Sequence, residues 1–304
     1  MSVNRDARRG RFFDRGVAAY RQFTGISDEL YCCPICEREF DRQALERKEL
    51  TLEHVPPDSL GGRDILLTCK DCQKLGSPLD AAVKERTRLW DMNEALQGRE
   101  GHFRGRATLE LGGHKITADV EVVKGEAKLV PWTKTNNPLT FTEAMKYYKA
   151  ESQAGTLKMT VTPRVRFKAR LSKVGDLKTA YLAAFAYYGY TYALHPALDP
   201  VRQQIRAPDE KLLPNWWIRP AGENEDWPTL LAVTEPFELV AIYLRTAVVV
   251  LPWPGSPVDA YASLSESVGA DGHLQFNGTM REWPRRMELI MDLGEAPIPE
   301  RESR

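Results

Sequence analysis

The sequence predicts an α+β protein of two domains, a small N-terminal unit stapled by metal and a larger β-rich α+β domain behind it. Three observations carry this. Two Cys-x-x-Cys pairs, Cys33 with Cys36 and Cys69 with Cys72, fall within one short segment. Gly98, Gly101 and Gly105 interrupt the chain after a helical stretch and place a boundary between domains at 1–100 and 105–293. Beyond those glycines, short segments alternate apolar and polar residues with the period of two that a half-buried strand requires.

Composition sets the frame for these elements. With 304 residues, 42% hydrophobic and 28% charged, the chain has an ordinary globular make-up and room for two cores. Its 42 Lys and Arg equal its 42 Asp and Glu, so any surface for a polyanion must be local. No N-terminal run has the apolar centre of a signal peptide, and the most apolar stretches, 181–194 and 239–253, are too short or too interrupted to span a bilayer. A cytoplasmic chain with reduced thiols and no membrane partner is therefore expected.

The chain opens with Arg5, Arg8, Arg9, Arg11 and Arg15 against Asp6 and Asp14, an arm that could lie along phosphates or a solvated, disordered terminus. A short helix is expected over 17–23. Two thiols on a tight turn can point at one ion, and two such turns supply four soft ligands for a structural Zn2+; a disulfide or unpaired buried thiols are the alternatives. Cys32 is spare and reads as a buried thiol. Next, Leu50 to Val55 reads as a strand with Thr51, Glu53 and Val55 on one face and Leu52 and His54 on the other. Pro56 and Pro57 end it, Gly61 and Gly62 close a loop, and 65–68 returns as a second strand. A helix then follows the second thiol pair, with Ser77 as its cap and Pro78 at its first position, running to Leu96.

At residue level this segment resembles the HNH endonucleases with their ββα-metal fold. The match lies in Leu52-Glu53-His54-Val55-Pro56-Pro57, Leu60-Gly61-Gly62, Leu67-Thr68-Cys69-Lys70-Asp71-Cys72 and Gly76-Ser77-Pro78-Leu79-Asp80. The subgroup it is similar to binds zinc through two Cys-x-x-Cys pairs. What the resemblance implies is a metal-dependent endonuclease that hydrolyses phosphodiester bonds, with double-stranded DNA as default substrate and defence against foreign DNA as a role. His54 would stand as general base. Glu53 would hold one hard cation, Mg2+ or Mn2+, at the scissile phosphate. Arg63, Lys70 and Lys74 would meet the nucleic-acid backbone.

Two positions depart from the family pattern. Asp64 stands where the family has its middle Asn, and Gln73 where it has a final His or Asn. Gln73 could still reach a cation, and Asp80 on the following helix is a substitute ligand. If these changes silence the site, the chain is a nucleic-acid-binding protein with a degenerate nuclease centre. A third class is a protein-interaction module in which zinc only scaffolds the fold. A homodimer, which would cut both strands, is kept open.

Further along, strands are expected at 107–111, 115–123 and 127–131, a helix at 142–152, and strands at 156–161 and 164–171. In the last of these, Arg164, Arg166, Lys168 and Arg170 would share one face, with Val165, Phe167, Ala169 and Leu171 on the other. Such charges stand about 6.6 Å apart, a stripe able to follow phosphates or simply to solvate a sheet beside the acids at 223–226. A largely buried helix is expected over 177–194, its tyrosines serving as core rather than as a stacking platform. A short helix at 199–205 and strands at 237–243 and 246–251 complete the domain. His102, His114, His195 and His273 lack ligand spacing and read as structural, and 294–304 as a disordered tail.

Overall fold

The basic start of the chain is a helix, not an arm: α1 spans Ser2–Thr24. The computed structural model describes residues 2–164, 167–220, 227–257, 259–268 and 273–287, with side chains from Arg5 onward. Phe12, Phe13 and Val17 bury one stripe of α1, and Phe13 stacks on Tyr31, so packing holds it against the first thiol turn. Strands β1 (Tyr31–Cys32) and β2 (Glu39–Phe40) bracket the first thiol turn, and α2 (Gln43–Glu46) follows. Then β3 (Leu50–Val55) pairs antiparallel with β4 (Arg63–Cys69). As expected, β3 stops where Pro56 removes the ladder donor. The returning loop closes so tightly that a Cβ on Gly62 would lie 1.5 Å from the Pro56 carbonyl oxygen. Only glycine fits there.

Helix α3 (Lys70–Leu96) begins inside the second thiol pair, not after it. Cys69 and Cys72 are three residues apart, a spacing one helical turn already satisfies. Ser77 is therefore not a cap: its hydroxyl donates back to the Gln73 carbonyl at 3.0 Å, and Pro78 lies within the helix.

Two compact units divide the chain, but not at the glycines. One runs to Val83 and resumes at Ala169; the other is Lys84–Lys168. The expected division at 1–100 and 105–293 is thus corrected to an insertion. The inserted unit holds β5 (His102–Leu111), β6 (His114–Val123), β7 (Glu126–Pro131), α4 (Pro138–Ala154) and β8 (Met159–Pro163), its sheet ordered β7-β6-β5-β8. Ile116, Ala118, Val120 and Val122 are buried, as the alternation predicts, and the Asn137 side chain caps α4.

Among the described residues of 164–171 the expected strand is absent. Pro163 closes β8, and the helix-forming sequence from Ala169 starts α5 (Ala169–Tyr188). After an interruption at Gly189 come α6 (Tyr190–Ala193) and α7 (Asp199–Arg206). Strands β9 (Trp217–Ile218), β10 (Thr229–Glu235), β11 (Leu239–Leu244) and β12 (Ala247–Pro252) precede α8 (Ala260–Glu266), and β13 (Asn277–Arg281) completes a sheet ordered β13-β10-β11-β12-β9. Helix α5 is buried along most of its length, in one core with α1, the β3/β4 hairpin and this sheet.

The tyrosines of 181–192 are largely core, as expected, and Tyr181, Tyr190 and Tyr192 donate to backbone carbonyls. Tyr181 donates to the Pro34 carbonyl at 2.6 Å and Tyr190 to the Cys32 carbonyl at 2.7 Å, so the C-terminal half braces the first thiol turn. Buried Arg202 adds a 2.9 Å pair with Glu37 in that turn. Among the described residues no helix is long and apolar enough to cross a membrane. The acids at 223–226 and the tail at 294–304 lie outside the described residues.

Candidate active site and metal centre

The β3/β4 hairpin and the start of α3 bring the four predicted thiols together. Their Sγ atoms all lie within 4.8 Å of one another, with Cys36 and Cys69 at 3.6 Å. Four sulfurs around a tetrahedral zinc stand about 3.8 Å apart, so the set can hold a metal ion such as zinc. Neighbouring groups favour thiolates. The Cys69 amide points at Cys33 Sγ at 3.4 Å, the Cys72 amide at Cys69 Sγ at 3.5 Å, and Arg38 lies 3.2 Å from Cys69 Sγ. Burial pushes the Cys33 thiol up, whereas hydrogen bonds from Cys33, then Cys69 and Cys72, hold Cys36 well below the usual thiol range. Cys32 stays apart as a buried thiol, raised by burial to about 12.

Below the thiols, Glu53 and Asp80 converge as expected, but the cation between them belongs to the chain. Lys178 Nζ, on α5, lies 2.7 Å from Glu53 Oε1 and 2.8 Å from Asp80 Oδ2. Its side chain is 3% exposed, that of Glu53 5% and that of Asp80 31%. The second Glu53 oxygen accepts from the Thr68 hydroxyl at 3.0 Å. Burial pulls the Lys178 ammonium toward neutrality, yet Glu53 and Asp80 together hold its pKa above the ordinary lysine value. Asp80 moves up, burial outweighing the pull of Lys178. Lys178 therefore stays charged, and Asp80 is the carboxylate with less claim on it. A hydrated divalent ion does not fit this pair, because the ammonium and its stem already fill the space. Gln73 does not join it either: half-buried in the first turns of α3, it offers only its carbonyl, to Ser77.

His54 faces a different neighbour. A register shift between Glu53 and His54 sets His54 opposite Asp64 on β4. His54 Nε2 lies 3.2 Å from Asp64 Oδ1, a close electrostatic contact without hydrogen-bond alignment, and 3.9 Å from the exposed Asp58. The other Asp64 oxygen accepts from Arg8 Nη1 at 2.9 Å. Asp64 is thus a nearly buried bridge between imidazole and guanidinium, with 9% of its side chain exposed against 35% for His54.

That imidazole opens on a cleft of about 730 Å³ whose walls carry Arg8, Arg11, Arg15, Arg63, Arg285 and Arg286, with Asp64 the only acid among the described residues that line it. In a chain of zero net charge this is a strong local concentration of cations. Trp283, whose indole N–H points at the Val55 carbonyl at 3.4 Å, and Arg15, which donates to the Met287 carbonyl at 3.1 Å, bring the 283–287 segment alongside.

The other predicted contacts do not gather there. Lys70 and Lys74 are exposed on α3. Arg164 bonds Thr108 and Thr117 within the inserted unit, Lys168 is exposed in that unit, Arg170 donates to the Pro208 carbonyl in the other, and Arg166 lies outside the described residues. The described members of the expected stripe, Arg164, Lys168 and Arg170, share no strand. Of the basic set, Arg63 lines the cleft with His54. Sequence reasoning missed Lys178, Arg285 and Arg286. A lysine beside the apolar run of 180–188 in α5 was the available signal for the first; nothing in spacing pointed to the arginines. Comparison with protein-family models, with curated proteins and with solved structures returns no match.

Proposed function

We propose that the unit containing the thiols is a zinc-stapled, HNH-type phosphodiester hydrolase acting on nucleic acid, with double-stranded DNA the default substrate. One observation carries it: a half-exposed imidazole, backed by Asp64, at the edge of a cleft lined by six arginines. With Nε2 turned to Asp64, Nδ1 is the nitrogen left to accept a proton from water. That water's oxygen bonds to phosphorus, the bond to the 3′ oxygen breaks, and the departing oxygen takes a proton from solvent. Guanidinium groups stabilise the charge that builds on the phosphoryl oxygens. Zinc on the four thiolates has no part in these steps; it would fix the hairpin and α3.

A second reading draws on the Lys178 pair. If hydrolysis needs an ion on Glu53, that ion is displaced, and the cleft binds nucleic acid without cutting it. Supercoiled plasmid separates the two. Nicking or linearisation by the wild type, lost in His54→Ala with binding retained, supports the hydrolase. Binding without cleavage under magnesium, under manganese and in metal-depleted buffer leaves only the binding protein.

A further inference from the structure

We propose that the ammonium of Lys178 is the resident cation of the Glu53–Asp80 pair, so that the folded chain takes up no divalent ion there. The inference deepens the proposed function, since any cleavage at His54 would then run without a metal on that pair. It stands on geometry. Nζ is within charge-assisted hydrogen-bond distance of both carboxylates, at 2.7 and 2.8 Å, from a side chain that is almost wholly buried. The surroundings are cut to this one group. A Cβ on Gly76 of α3 would lie 2.8 Å from Nζ, so the helix offers its only side-chain-free position where the ammonium arrives. Thr68 occupies the far oxygen of Glu53.

Two carboxylates with one ammonium leave a single net negative charge. A bare pair would leave two, and hard divalent ions are selected by carboxylate count. Any such ion brought to these oxygens would also meet the ammonium at contact distance, with like charge. A lysine reaching across from α5 therefore does what an ion would do for the hairpin. It neutralises Glu53, and it ties β3 to α3 while His54, the next residue, is left facing the cleft.

The test is binding of Mn2+ to the zinc-loaded, full-length protein, read by loss of the free-ion EPR signal. Wild type is expected to bind no Mn2+ below the millimolar range that is sensitive to Glu53→Gln. Lys178→Met, which keeps the stem and removes the charge, is expected to gain one site at least about tenfold tighter, lost again when Glu53→Gln is added. A wild-type site abolished by Glu53→Gln overturns the proposal, and so does a folded Lys178→Met that gains none. Should Lys178→Met not fold, the wild-type titration decides alone by the same criterion. Cleavage does not enter the readout, so a protein that binds no Mn2+ and cuts nothing refutes the hydrolase while leaving this inference standing.

Discussion

Replacing Lys178 by Met should strongly destabilise the thiol-bearing unit. The side chain is 3% exposed and donates to two carboxylates, of which Glu53 is 5% exposed. Removing one member of a buried ion pair costs about 3–5 kcal/mol, because the partner charge stays behind without compensation. Glu53 falls squarely in that class. Asp80, 31% exposed, can recover part of its share from water, which keeps the total within the range instead of doubling it. For a unit of this size each kcal/mol moves the melting midpoint by about 2–4 °C. The pH dependence follows from linkage. The folded pKa of Lys178 lies above its ordinary value, so its contribution is complete below about pH 10.4 and is lost as pH rises through the folded value. In Lys178→Met, Asp80, whose carboxyl burial already pushes up, loses the counter-pull of Lys178 and takes up a proton more readily on folding, so the variant recovers as pH falls. The gap between wild type and variant should be widest near neutrality and narrow at both ends. Adding Glu53→Gln and Asp80→Asn should restore most of the loss at neutral pH. Urea unfolding followed by tryptophan fluorescence measures all three proteins. A loss below about 1 kcal/mol at neutral pH, or a gap indifferent to pH, would show that the ammonium is not the compensating charge.

The remaining predictions concern the staple and the cleft. Cys69→Ser should release the metal and unfold the thiol-bearing unit, since ligand binding and folding are coupled with apparent energies of about 10–16 kcal/mol in small zinc modules; metal content with far-UV circular dichroism reads this, and a folded, metal-free variant would remove the four-thiolate assignment. Arg285→Ala with Arg286→Ala should weaken DNA binding and make its salt dependence shallower, by about 0.9 in log–log slope for each phosphate that is no longer neutralised. Lys168→Ala should leave the slope unchanged, and the reverse outcome would return the grip to the inserted unit.

Much of the hairpin was legible because it is local. A period-two run, two prolines and a pair of glycines fix where β3 ends and β4 begins, and thiol spacing fixes what they carry. The stripe at 164–171 had the same period and failed. Alternation alone does not choose a strand when proline stops it early and an alanine-rich helix starts within it; the apolar Phe167, meant for the inside, is 38% exposed. Asp64 was read only as standing at the position of the family's middle Asn. Its bond to Arg8 could not be foreseen, because α1 was expected only from residue 17 onward. Lys178, Arg285 and Arg286 reach the site from far along the chain, and such long-range approaches carry no periodic signal.

The insertion changes how function divides along the chain. A nuclease domain followed by a grip domain would let either be altered alone, but here both the cleft arginines and His54 belong to one unit assembled from the two ends of the chain. Helix α5 ties its parts together. Lys178 and Tyr181 are three residues apart and so share a face, one holding Glu53 and the other the Pro34 carbonyl in the first thiol turn. The metal staple and the buried ion pair therefore press on the same helix from adjacent points. Tyr181→Phe removes the hydroxyl's bonds to the Pro34 carbonyl in the thiol turn and to the Ala193 carbonyl, at a cost of about 1 kcal/mol. That loss arises in the same packed region, so it and the loss in Lys178→Met should not simply add, a coupling that two separately folding domains would lack.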